Sequence, residues 1–159
     1  MDVDGVLTNG KLYYLNENYV GRAFDSKDGM AIRLLQENNI KIVWISGGQS
    51  SSISERAEDL DVEMYYTMIK DKKSLLEKIQ IEHKISIEET IFLGDDINDL
   101  PTKPLCKLFL CPRDASNTVK LNSDWIGQNS GGSGFVREVV DYIMEILSIK
   151  KDQGWNTLN

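Results

Sequence analysis

Two rhythms of apolar and polar positions take turns along this chain. Short apolar runs that end at turn residues recur: IKIVWIS (40–46), MYYTM (64–68), TIFLGDD (90–96) and CKLFLCP (106–112), the last stopped by Pro112. Runs of this length predict buried, parallel strands. Between and after them lie DGMAIRLLQENN (28–39), SSSISERAEDL (50–60), DKKSLLEKIQIEH (71–83) and GFVREVVDYIMEILSI (134–149), which predict helices. In the third, the apolar residues 75, 76, 79 and 81 make a helical stripe. The serines that open the second suit a helix cap, and SGGSG leads into the fourth. Strands alternating with helices imply an α/β fold with a doubly wound parallel sheet. One stretch breaks the rhythm. KLYYLNENYVGRAF (11–24) predicts two strands around Asn16-Glu17-Asn18, a β-hairpin inserted after the first strand. The expected organisation is one domain over 1–149 and a tail at 150–159.

Composition narrows the partners. With 159 residues, 41% hydrophobic and 27% charged, the chain has enough apolar material for a core. A net charge of −7 argues against a nucleic-acid backbone as partner. No apolar run approaches membrane-spanning length, and no secretory leader is visible, so a cytoplasmic location is expected. Two cysteines, Cys106 and Cys111, and one histidine, His83, are too few for a disulfide framework, a zinc site or a His-based metal centre. The thiols read as ordinary ones. Trp44 reads as core, and Tyr13, Tyr14 and Tyr19 as a partner surface or a substrate wall.

The polar residues that end the strands carry the chemistry. Asp2 and Asp4 are two apart, so they point the same way on a strand. Ser46 ends IKIVWIS, Asp95 and Asp96 end IFLGDD with Asp99 one turn on, and Lys72 lies at a helix start. Ligands of open α/β sheets bind at the carboxyl ends of strands. Crowded carboxylates there call for a hard cation such as Mg²⁺. Mg²⁺, a lysine and a hydroxyl suit a phosphoryl group, with one aspartate as nucleophile and another moving protons.

The segments DVDGVLTNG, ISGG, IKDK and FLGDDIND resemble, in order and spacing, the haloacid dehalogenase (HAD) superfamily. With the hairpin, KDGMAIRLL, ERAEDL and GGSGFVREVVDYI, the chain is similar to its capless branch of 3-deoxy-D-manno-octulosonate 8-phosphate (KDO-8-phosphate) phosphatases. The resemblance spans residues 2 to 148. It implies a Rossmann-like sheet without a large cap domain, and a Mg²⁺-dependent sugar-phosphate phosphatase working through an aspartyl-phosphate. It implies Asp2 as nucleophile and metal ligand, and Asp4 as acid/base with its carbonyl on the metal. Ser46 and Lys72 would hold phosphate and Asp95 the metal, with Asp96 and Asp99 supporting the metal from nearby. Thr8, Lys27, Gly47 and Arg56 are expected to meet substrate. The family also implies an apolar strand before Asp2; here only Met1 precedes it, so further residues upstream are expected.

Two positions depart from that pattern. Gly48 and Ser133 stand where KDO-8-phosphate enzymes carry arginines that could hold a sugar carboxylate. A related phosphatase of nine-carbon keto-deoxy sugar acid 9-phosphates is therefore a close alternative. A phosphorylatable receiver domain is disfavoured, because the first acidic pair is spaced D-x-D and no aspartate ends IKIVWIS. A non-catalytic oligomerisation module is disfavoured because Asp2, Asp4, Lys72 and Asp95 are all retained. The resemblance implies a homotetramer, with the hairpin in its core and the tail residues Lys150, Lys151 and Trp155 near a neighbouring site.

Overall fold

A computed structural model describes residues 1–16, 19–49 and 51–147. The inserted stretch forms the hairpin β1 (Tyr13–Asn16) and β2 (Tyr19–Gly21), closed at its base by a bridge between Thr8 and Phe24. Then follow α1 (Ser26–Glu37), β3 (Val43–Ile45), α2 (Ser51–Asp59), β4 (Met64–Tyr66) and α3 (Lys72–His83). The second half has β5 (Ile91–Leu93), β6 (Leu108–Cys111), α4 (Asn117–Asn122), β7 (Trp125–Ile126) and α5 (Phe135–Ile146). Every strand and helix expected from the apolar rhythm is present. The expected tail, with Lys150, Lys151 and Trp155, and the hairpin residues Glu17 and Asn18 lie outside the described residues.

The sheet comes in two parallel pieces, β3 beside β4 and β5–β6–β7. Met1 and Asp2 lie between them. The Met1 nitrogen donates to Val43 O (2.8 Å) and its carbonyl accepts from Ile45 N (2.9 Å), the bonding pattern of a parallel pair. On the other side the Asp2 amide donates to Leu93 O (2.9 Å). The working order is therefore β4, β3, residues 1–2, β5, β6, β7. All these segments end on one edge, so Asp2, Ser46 and Asp95 meet there.

Strand alternation divides the core between two faces. Trp44, Leu93 and Leu110 pack with Ile32, Leu35, Val136 and Val140 of α1 and α5. Ile45, Phe92, Phe109 and Cys111 pack with Leu76 and Ile79 of α3 and Val119 of α4. Helices cover both faces, as expected for a doubly wound sheet. Asp25 caps α1 by accepting from Lys27 N (2.6 Å) and Asp28 N (3.2 Å). Asp71 caps α3 through Ser74 N (3.0 Å), which begins that helix at Lys72. Among the described residues no helix is long and apolar enough to cross a membrane.

Candidate active site

Leaving β5, the chain turns at once through Gly94. The Asp99 carboxylate holds that turn: its Oδ2 accepts from Asp95 N (3.0 Å) and Asp96 N (3.3 Å). A Cβ on Gly94 would come within 2.9 Å of that oxygen, so no side chain fits there. The other oxygen, Oδ1, takes Lys72 Nζ at 2.6 Å, and Lys72 also reaches Asp2 Oδ1 at 2.8 Å. Lys72, Asp2 and Asp99 are all buried. Asp95 completes the group, since Asp2, Asp95 and Asp99 can each turn one oxygen to within 4.8 Å of the others.

One ammonium faces three carboxylates. Burial and then the neighbouring Asp99 raise the Asp2 carboxyl above its ordinary range, against the pull of Lys72. Burial, then Asp2, Asp99 and Asp96, raise Asp95 likewise. Burial works against the Lys72 ammonium, but Asp2 and Asp99 outweigh it and hold the amine above its usual value. Asp95 Oδ1 is buried without a hydrogen-bond partner, a costly state for a charged oxygen. So is the hydroxyl of Ser116, whose amide binds the Asp95 carbonyl (2.9 Å). Excess negative charge, all-oxygen donors and an orphaned carboxylate oxygen fit a hard divalent cation.

Asp4 stands apart from this group. Its carboxylate is gripped by Arg22, Nε on Oδ1 at 2.6 Å and Nη2 on Oδ2 at 2.8 Å. Thr8 Oγ1 donates to Oδ1 (3.2 Å) and accepts from Gly5 N and Gly10 N, so its hydroxyl is used inside its own loop. Ser46 is buried, its amide on Tyr66 O (2.8 Å) and its Oγ accepting from Gly48 N (3.1 Å). Gly47 is exposed beside it. Two glycines elsewhere close the site from behind. A Cβ on Gly5, where φ is +96°, would collide with the Asp95 carboxylate, and one on Gly131 with the Gly5 carbonyl.

The structure thus gathers Asp2, Lys72, Asp95 and Asp99, and joins Asp4 with Thr8. Asp99 sits within the acidic group, not outside it. Asp96 is exposed, and its carboxylate accepts from Ile97 N (2.8 Å). Arg56 lies over the Phe24 ring (5.8 Å) and beneath Gly29, while Lys27 lines an open cavity with Ser133 and Arg137. Neither shares a described contact with the acidic group. Sequence reading overlooked Arg22. The available signal was the hairpin itself, which returns the chain to Thr8 and so carries Arg22 back towards Asp4.

No family model matches the chain. The 3-deoxy-D-manno-octulosonate 8-phosphate phosphatase KdsC of Haemophilus influenzae is 31% identical over 144 residues, 91% of this chain and 80% of that protein. The chain belongs to the HAD superfamily, among KDO-8-phosphate phosphatase-like proteins. As a member it is a phosphoric monoester hydrolase. The cobalt-bound Haemophilus influenzae phosphatase (YrbI) superposes on this HAD chain with a TM-score of 0.90 at 29% identity, covering 96% of this chain and 92% of that one. The Moraxella catarrhalis KDO-8-phosphate phosphatase, solved with magnesium, phosphate and KDO, superposes at 0.87 with 28% identity, covering 91% and 83%. HAD phosphatases are metal-dependent.

Proposed function

We propose that this HAD hydrolase releases phosphate from a keto-deoxy sugar acid phosphate, KDO 8-phosphate foremost, with Mg²⁺ and an aspartyl-phosphate intermediate. The observation that carries the reading is the Lys72 ammonium bridging Asp2 and Asp99 beside the orphaned Asp95 oxygen. Asp2, Asp95 and the Asp4 carbonyl would hold the metal, with Asp99 beside them and Asp96 at the rim. A bound Mg²⁺ supplies positive charge that lets a phosphate dianion approach these carboxylates.

Asp2 attacks phosphorus, the bond to the sugar oxygen breaks, and Asp4 gives its proton to the leaving alcohol. Asp4 then takes a proton from the water that attacks the aspartyl-phosphate, so inorganic phosphate leaves and Asp2 is restored. Lys72 and the Ser46 hydroxyl orient phosphoryl oxygens, with Gly47 beside them. Thr8, expected to meet substrate, is fully buried with its hydroxyl engaged by Asp4, Gly5 and Gly10, so it supports the Asp4 loop. Lys27 and Arg56, set apart from the acidic group, are weak candidates for substrate contact.

Gly48 and Ser133 support a second substrate, a nine-carbon 9-phosphate. A charge-assisted hydrogen bond contributes about 1.5–3 kcal/mol, so two absent arginines would cost KDO 8-phosphate several powers of ten unless replaced. Phosphate release from both sugars, side by side, decides between them. Asp2→Asn is expected to fall to background with either; substantial turnover by folded Asp2→Asn protein would refute the covalent route.

The same reading carries a cytoplasmic homotetramer. Leu12, Tyr13 and Tyr14 expose 43%, 48% and 76% of their surfaces along the hairpin, a face that a second copy would cover. Light scattering should report four chains; a monomer would remove this part of the reading.

A further inference from the structure

Arg22 has no role in the reaction proposed above, yet it is a buried cation paired with Asp4. Its side chain is 2% exposed, against 26% for Asp4. Nε and Nη2 form a two-pronged pair with the Asp4 carboxylate. Nη1 donates to Val20 O (3.5 Å) and Ser52 Oγ (3.4 Å), so the guanidinium is fixed to the hairpin and to α2 before it meets Asp4. A planar guanidinium held on three sides fixes the plane of the carboxylate as well as its place.

The two oxygens of Asp4 are not equivalent. Oδ1 accepts from both Arg22 Nε and Thr8 Oγ1, and is the anchored oxygen. Oδ2 accepts from Arg22 Nη2 and keeps a lone pair for a proton in transit. Gly48 borders that oxygen. A Cβ there would lie 2.9 Å from Nη2 and 3.3 Å from Oδ2, so the absence of a side chain lets the pair form and keeps space open beside Oδ2.

We propose that Arg22 is a positioning residue that aims Oδ2 of Asp4 at the leaving oxygen of the substrate. The inference rests on the acid/base role proposed for Asp4. Arg22 does not touch the reacting atoms. It sets the direction in which the Asp4 proton travels to the alkoxide as the phosphorus–oxygen bond breaks. Because the hairpin carries Arg22, the hairpin is part of the catalytic apparatus and not only a surface.

The test uses two substrates that differ in their need for a proton. A sugar alkoxide needs one to leave; p-nitrophenolate does not. The sugar phosphate is whichever one the wild type cleaves best, so a mistaken substrate leaves the test intact. The value read is kcat/KM, which ends at the first irreversible step. Arg22→Ala should lower it about 100-fold for the sugar phosphate, within the range of general acid catalysis, and less than about 10-fold for p-nitrophenyl phosphate. Arg22→Lys, which retains a charge able to hold one oxygen, should recover part of the loss. Gly48→Ala should reproduce the sugar-selective loss when Arg22 is present and add little when Arg22 is already alanine. Equal losses on both substrates would overturn the role, since structural damage spares neither. A raised KM with unchanged kcat would overturn it too, and make Arg22 a substrate anchor. A wild type inactive on every sugar phosphate would sink the acid/base reading and this role together.

Discussion

Lys72 divides a single charge between Asp2 and Asp99 and leaves Asp95 uncompensated. Occupancy by a divalent cation should therefore stabilise the fold by mass action, about 2.7 kcal/mol at a hundredfold excess over Kd. Melting with and without Mg²⁺ should show a higher Tm with the ion. Asp95→Asn should shrink that increment, because it removes a charge from the donor set, and a chelator should abolish phosphate release. An increment that survives Asp95→Asn undiminished would place the ion elsewhere. At this scale the sequence was legible where a polar residue ends a strand or lies one glycine beyond it: Asp2, Ser46 and Asp95. Arg22 was not, because its importance lies in where the hairpin returns, and no spacing along the chain shows that. Nor could the sequence separate Asp96 from Asp99, since only the fold shows which carboxylate turns inward.

At the scale of elements, α1 and α5 are joined by a buried carboxylate. Gly134 at the start of α5 has no side chain to cap the helix, and Asp28 of α1 does so from across the interface. It accepts from Arg137 N (2.8 Å) and Gly134 N (3.3 Å). Burial pushes the Asp28 carboxyl up to about 6, against the downward pull of those amides. The folded protein then holds this proton more tightly than the unfolded chain does. The stability that Asp28 adds through protonation is fully present below its ordinary carboxylate value near 3.8 and is lost as pH rises towards 6. Urea unfolding at pH 4 and pH 7 should show wild type losing about 1–3 kcal/mol relative to Asp28→Asn over that interval. A difference that does not change with pH would assign the shift to other groups. Long elements with a clear period, such as α3 and α5, were legible in the sequence. The stretch 113–130 was not, because α4 has six residues and β7 two, too few for a period to register. The 3₁₀ turn Leu100–Leu105, with Pro104 inside it, likewise carries no helical stripe.

Taken whole, the molecule is two parallel half-sheets sewn together along Met1 and Asp2. The doubly wound class was readable from the alternation of runs, and a strand leading into Asp2 was expected from the family resemblance. Which segments it pairs with was not, because those partners lie far along the chain. Each half-sheet is wound locally, β3 to β4 through α2 and β5 to β6 to β7 through short connections. Among the strand pairings of the described residues, the seam has the most distant partners, Val43 and Ile45 on one side and Leu93 on the other. Pairings across long stretches of chain incur loop-closure entropy and form late. Asp2 is therefore expected to take its place after both halves exist, which would make the site competent last. In refolding from denaturant, far-UV circular dichroism should recover ahead of phosphate release. Activity that returns in step with the earliest helical signal would mean that the seam forms first and the half-sheets grow outward from it.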